Sequence, residues 1–144
     1  MATLTFEKEI SALVLVDPYN DFISEGGKIW DRIKSVAEAN NCVPNMLRTL
    51  EAARKAALHV FYAMHRRYRP GDYETWKYIA PIQKRGWSSK VFEFGTWGGE
   101  IRSEFQPQPA EIVRRSIGVP AALPIPIWIY SLKSTAFTSS LLLG

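Results

Sequence analysis

Three side chains in this sequence are of a kind that could do chemistry. Asp17 follows directly on the apolar run ISALVLV (Ile10 to Val16), and His65 follows directly on HVFYAM (His59 to Met64). Cys42 is the single cysteine among 144 residues. A carboxylate or an imidazole can take up a proton, and a thiolate is a strong nucleophile. Taken singly, each has a plainer reading. An Asp after a strand often only opens a turn, a lone His is usually a surface or hydrogen-bonded residue, and a Cys on a helix is usually a small buried apolar residue. The elements around them decide which reading holds.

Both apolar runs are short and nearly continuous, as expected of strands buried on both faces of a parallel sheet. Pro18 and Asn20 signal a turn at the end of the first. Helical periodicity begins after Gly26 and Gly27 and is stronger from Val43 to Leu58, where Met46, Leu47, Leu50, Ala53 and Ala57 recur at three- and four-residue spacing. Pro44 sits near that helix's start, where its missing N–H costs little, and Asn40 or Asn41 is expected to cap it. Strand, helix, strand is a βαβ unit with a right-handed crossover, so the fold class is α/β with a parallel sheet. Ligands of such sheets bind beyond the carboxyl ends of the strands, the edge at which Asp17 and His65 stand. Arg66 to Thr96 is a long aromatic and charged connection with a turn at Pro70-Gly71, and a loop of this length is usually functional. Gly95 to Gly99 marks another turn, Gln106 to Pro109 a connector, and Ala110 to Val113 the beginning of a third strand.

Composition excludes several classes. With 47% hydrophobic and 22% charged residues the chain is an ordinary globular domain. A net charge of +4 from scattered Lys and Arg, without a basic stripe or module, argues against nucleic acid as a partner. One cysteine rules out an internal disulfide and makes a reducing compartment the default. Met1 to Glu9 lacks the apolar core of a signal peptide. The longest apolar stretch, Gly118 to Leu132, is short for a membrane span and holds Pro120, Pro124 and Pro126. A cytoplasmic protein with no membrane partner is therefore expected. A nucleotide-binding βαβ module is set aside, because DPYNDF after the first strand has no glycine to admit a pyrophosphate.

The segment LVLVDPYNDF (Leu13 to Phe22) resembles the opening strand and catalytic aspartate of the isochorismatase-like cysteine hydrolases, whose relatives include nicotinamidases. GTWGGEI (Gly95 to Ile101) and PAEIV (Pro109 to Val113) follow in the family's order, so the likeness covers roughly Ser11 to Val113. The resemblance implies a three-layer α/β/α parallel sheet, here incomplete. It also implies an Asp-Lys-Cys triad in which Asp17 takes the thiol proton, with no cofactor and a small-molecule substrate. Phe22 and Trp97 are the candidate substrate-binding walls, and core packing is at least an equal reading for both. Tyr19 stands where the family often has Gln. With His65 alone after the second strand, no metal is expected. Arg114 and Arg115 stand near the position of the family's Lys, for which Arg is a poor substitute. The family's nucleophile lies in the strand-to-helix turn that would follow, and Cys42, on the helix after the first strand, cannot stand in for it.

Two parts are therefore expected: 1–113, the N-terminal part of such a hydrolase domain, and 114–144, an aberrant tail. That tail has prolines spaced against helix formation, no acidic residue and neither strand nor helix periodicity. Back-translated and read one nucleotide earlier, it admits a serine-glycine-phenylalanine turn, a capped helix and a strand, which fits an out-of-frame segment. The intact parent would hydrolyse a small amide, ester or vinyl ether, whereas the chain as written is expected to be inactive. The competing reading is a non-catalytic binding or partner-docking remnant; a homo-oligomer is left open. A truncated sheet would expose apolar surface and favour aggregation.

Overall fold

The computed structural model describes residues 7–115. Of the tail expected from 114 onward, 116–144 lies outside the described residues. Three strands, β1 (Ala12–Val16), β2 (His59–Met64) and β3 (Ile112–Arg115), form a parallel sheet in the order β1-β2-β3. The register aligns Val14, Phe61 and Ile112 in one row and Val16, Ala63 and Arg114 in the next but one. Four helices join them: α1 (Asn20–Ile23), α2 (Trp30–Ala39), α3 (Cys42–Lys55) and α4 (Pro81–Ser88). The expected α/β parallel sheet is present. No helix among the described residues is long and apolar enough to cross a membrane.

The core lies on one face of the sheet. Leu13 and Leu15 of β1 and Val60, Tyr62 and Met64 of β2 meet Val43, Met46, Leu47, Leu50 and Ala53 of α3. Leu50, Tyr62 and Phe105 are almost wholly buried. Burial of β1 on both faces is not observed. Its side chains alternate, and Val14 and Val16, on the opposite face, are 43% and 63% exposed. The reason is position: β1 is an edge strand of the described sheet, whereas the central β2 is buried along most of its length.

Helix α3 departs from expectation at both ends. Asn41 occupies the N-cap position in a left-handed conformation (φ 46°), and its side chain makes no capping hydrogen bond. The two asparagines instead form a sharp joint: Asn41 accepts the Asn45 N–H at 2.9 Å, and the Asn45 amide donates to the Asn40 carbonyl at 3.0 Å. Short polar side chains tolerate this left-handed backbone, which here outweighs capping. At the far end Ala57 is left-handed (φ 53°) and exposed, outside both the helix and the core. The Leu58 N–H returns to the Ala53 carbonyl at 2.9 Å, the closure of a helix that stops before Leu58.

Arg54 of α3 grips the lead-in to β3. Its guanidinium donates to both Glu111 oxygens, at 2.7 and 2.8 Å, and to the Gln106 carbonyl at 2.9 Å. The Tyr62 hydroxyl sits between Arg54 and Glu111, at 3.3 Å from each. Burial first, and Glu111 second, push the Tyr62 phenol up to about 12. The Arg54 hydrogen bonds hold the Glu111 carboxyl below the usual carboxylate range.

Candidate active site

At the carboxyl end of β1 the backbone turns abruptly. Asp17 is left-handed (φ 50°), a conformation Asp tolerates better than most residues, and the following Pro18 is fully buried. The Asp17 N–H continues the sheet to the Ala63 carbonyl at 3.1 Å, while its side chain accepts the backbone N–H of His65 at the end of β2. The two strand ends thus bring together Asp17 and His65, the pair expected at this edge. Burial raises the Asp17 pKa above its ordinary value, opposed by the His65 N–H and by the His65 ring charge. A carboxylate with a raised pKa is a stronger proton acceptor. The His65 ring is turned away from it: Nδ1 lies 2.8 Å from the Arg66 carbonyl, which can only accept, so Nδ1 carries the proton.

Tyr19, which stands where the family often has Gln, is a buried strut. Its hydroxyl donates to the His65 carbonyl at 2.7 Å, and its ring packs on Phe92 at 4.8 Å between centroids. Phe92 also meets Phe22 at 6.3 Å and His65 at 5.5 Å. Phe92 itself has φ 56°, an outlier for a bulky side chain, so it is held there by its surroundings.

What holds it is Asp21, which sequence reasoning missed. Asp21 is 1% exposed; its two oxygens accept the Lys28 N–H at 3.1 Å and the Phe92 N–H at 2.7 Å. Asn20 beside it donates to the Trp97 carbonyl at 2.8 Å and accepts from Ser24 at 2.9 Å. Further backbone bonds run from Asn20 N–H to Glu100 and from Arg102 N–H to Pro18. DPYNDF and GTWGGEI, separated in sequence, are therefore stitched into one unit. The glycines of the second motif are required by this contact: a Cβ at Gly98 would strike the Asp21 carboxylate, and one at Gly99 the Glu93 backbone.

A cavity of about 270 Å³ opens beside this unit, walled by His65, Tyr68, Tyr73 and Phe92 and by one side of α4. That helix was not expected inside the long connection. It starts at Pro81, where proline is pre-organised for a first turn, and the Gln83 Oε1 accepts the Ala80 N–H at 3.2 Å. Of the two expected walls, Phe22 is half-buried against Phe92, and Trp97 is 56% exposed on a short 3-10 turn (Trp97–Gly99). Neither is among the residues lining the cavity. Cys42 is not the buried apolar residue expected. It is exposed at the first turn of α3, its sulfur 3.9 Å from that of Met46, while its neighbour Val43 is the residue that enters the core. Among the described residues no group of three or more His, Cys, Asp or Glu could hold a metal ion.

The isochorismatase domain matches residues 11–118, three quarters of the chain, from the start of β1 through β3. The chain belongs to the isochorismatase family. Similar curated proteins are ureidoacrylate amidohydrolases. The one from Rhizobium rhizogenes is 28% identical over 120 residues, covering 76% of this chain and 49% of its own. The one from Agrobacterium fabrum is 28% identical over 120 residues (76% and 53%), and that of Variovorax paradoxus 29% over 113 residues (72% and 45%). The chain spans about half the length of these relatives. In this isochorismatase-family chain the two motifs are stitched together beside Asp17.

Proposed function

We propose that Asp17 is the proton acceptor of a cysteine-hydrolase site acting on a small molecule, and that the bond cleaved is an amide. The observation carrying this reading is the Asp17 carboxylate itself, at the carboxyl end of β1, oriented by the His65 N–H and raised in basicity by burial. The amide is favoured over an ester or vinyl ether by the relatives, which are named as amidohydrolases. In this mechanism Asp17 takes the proton of a thiol, the thiolate adds to the substrate carbonyl, the C–N bond breaks as the proton is returned to the leaving nitrogen, and water, giving a proton to Asp17, cleaves the resulting thioester to release the acid and restore the thiol. Phe22, packed on Phe92, and Trp97 are proposed to border the substrate.

The thiol is the missing partner. Cys42 is the one cysteine of the 144 residues, and its sulfur neighbours Met46 rather than Asp17. We therefore propose that this chain alone does not turn over substrate. Purified chain and its Asp17→Ala variant, assayed on ureidoacrylate by ammonia or carbamate release, are expected to be equally inactive. Turnover that disappears in the variant would overturn the inactivity. For the role of Asp17, a longer form supplying a thiol at this edge is expected to lose at least about 100-fold in kcat on Asp17→Asn. The reading of 114–144 as an out-of-frame segment is tested by sequencing the transcript across the codons of Val113 and Arg114; an unbroken frame with this tail would refute it.

A further inference from the structure

The cavity lined by His65 and Phe92 has an uneven charge. Lys28, Arg32, Arg66 and Arg85 all line it, and no Asp or Glu does. Two of these cations are engaged: the Lys28 ammonium donates to the Lys90 carbonyl at 2.6 Å, and Arg66 pairs with Asp72. Arg32 and Arg85 have no ion pair or side-chain hydrogen bond among the described residues, although both reach the same opening from different helices, α2 and α4. Like charges gathered around a cavity repel one another, so the arrangement is favourable chiefly when an anion sits between them.

A second observation points the same way. Gln83 lines the cavity, is 6% exposed, and its Nε2 is the one buried side-chain polar atom without a partner among the described residues. Its orientation is fixed, because Oε1 is committed to the Ala80 N–H at the start of α4. The NH2 group is thus left as a desolvated donor that only an acceptor can satisfy. Ile82 and Val91 of the wall supply apolar area but no acceptor side chain.

We infer that this cavity is the subsite for a small organic carboxylate, held by Arg32 and Arg85 with Gln83 as a neutral donor. The reading rests on the proposed hydrolase site for the position of the rest of the ligand. His65 joins the two: its N–H orients Asp17 while the residue lines the cavity. A substrate with a carboxylate at one end and an amide at the other would span from the cationic wall to Asp17. Guanidinium groups suit a planar carboxylate because they donate in a fork.

The test is binding rather than turnover, with the full 144-residue chain. The probe is 3-ureidopropionate, titrated calorimetrically at low salt beside its neutral amide, 3-ureidopropionamide, and inorganic phosphate. The acid is expected to bind at least about tenfold more tightly than either. Arg32→Gln with Arg85→Gln, at exposed positions, should cost at least about tenfold. Gln83→Glu retains the acceptor for Ala80 and should weaken binding by at least as much. Equal binding of acid and amide, phosphate binding as tight as the acid, absence of binding, or variants without effect would each overturn the subsite. Binding as described, without turnover in any thiol-bearing form, would sink the hydrolase reading alone; turnover of acid and amide alike would sink the subsite alone.

Discussion

Asp17 and Asp21 lie four positions apart and do opposite things. Asp21 is the structural acid, and its loss would strand the buried N–H groups of Lys28 and Phe92. At about 1–3 kcal/mol for each unsatisfied donor, Asp21→Ala is expected to cost about 2–6 kcal/mol, measured by urea denaturation. Asp17 is the chemically useful acid and is costly to the fold. Because its folded pKa is raised, the protonated form is favoured in the native state. The stabilising effect of that preference is present below the ordinary carboxylate pKa of 3.8 and is lost as pH rises through the raised value. Asp17→Asn keeps an acceptor for the His65 N–H and removes the buried charge. It should therefore melt slightly higher than the parent at pH 7, with the difference vanishing below pH 3.8. A variant less stable at pH 7 would show that the charge itself supports the turn. Of these two residues only Asp17 was legible in the sequence. An apolar run ending in Asp-Pro marks a strand end, but the burial of Asp21 comes from Phe92 and Gly98, and no local pattern announces partners so distant.

Among the elements, the strands were readable because β2 and the inward half of β1 carry unbroken apolar character. The outward half of β1 was not, since a run of Leu and Val is the same string whether one face or two is covered. Helix α3 was legible from its apolar spacing, apart from its ends, where two left-handed residues replaced the expected cap and final turn. Helix α4 escaped because PIQKRGWS is short, contains Gly86 and repeats no apolar position clearly. The tie between α3 and β3 carries its own prediction. Glu111 has a depressed pKa in the fold, so its pairing with Arg54 contributes stability above the ordinary carboxylate pKa of 4.5, and that contribution is lost as pH falls toward the depressed value. Glu111→Gln should destabilise the protein by about 1–3 kcal/mol at pH 7 and flatten the stability profile below pH 4.5. An unchanged profile would assign the acid sensitivity elsewhere.

At the scale of the whole molecule, one face of the sheet is packed by helices and the other presents Val14 and Val16 on an edge strand. Exposed β-branched residues on an edge strand of the described sheet favour self-association. Val14→Thr with Val16→Thr keeps strand propensity and reduces apolar area. The pair is expected to raise the monomer fraction in sedimentation velocity while changing stability by no more than about 1 kcal/mol. An unaltered distribution would exclude this face as the contact. The tie from Asp21 to Phe92 spans 71 positions. A nascent chain emerging from the ribosome can form β1 and the first helices early, but the aromatic floor under His65 has to wait until Phe92 is clear of the exit tunnel. The ligand-facing geometry is thus a late product of synthesis, and a chain halted before that point would present Asp17 and His65 at the strand ends without the aromatic floor beneath them.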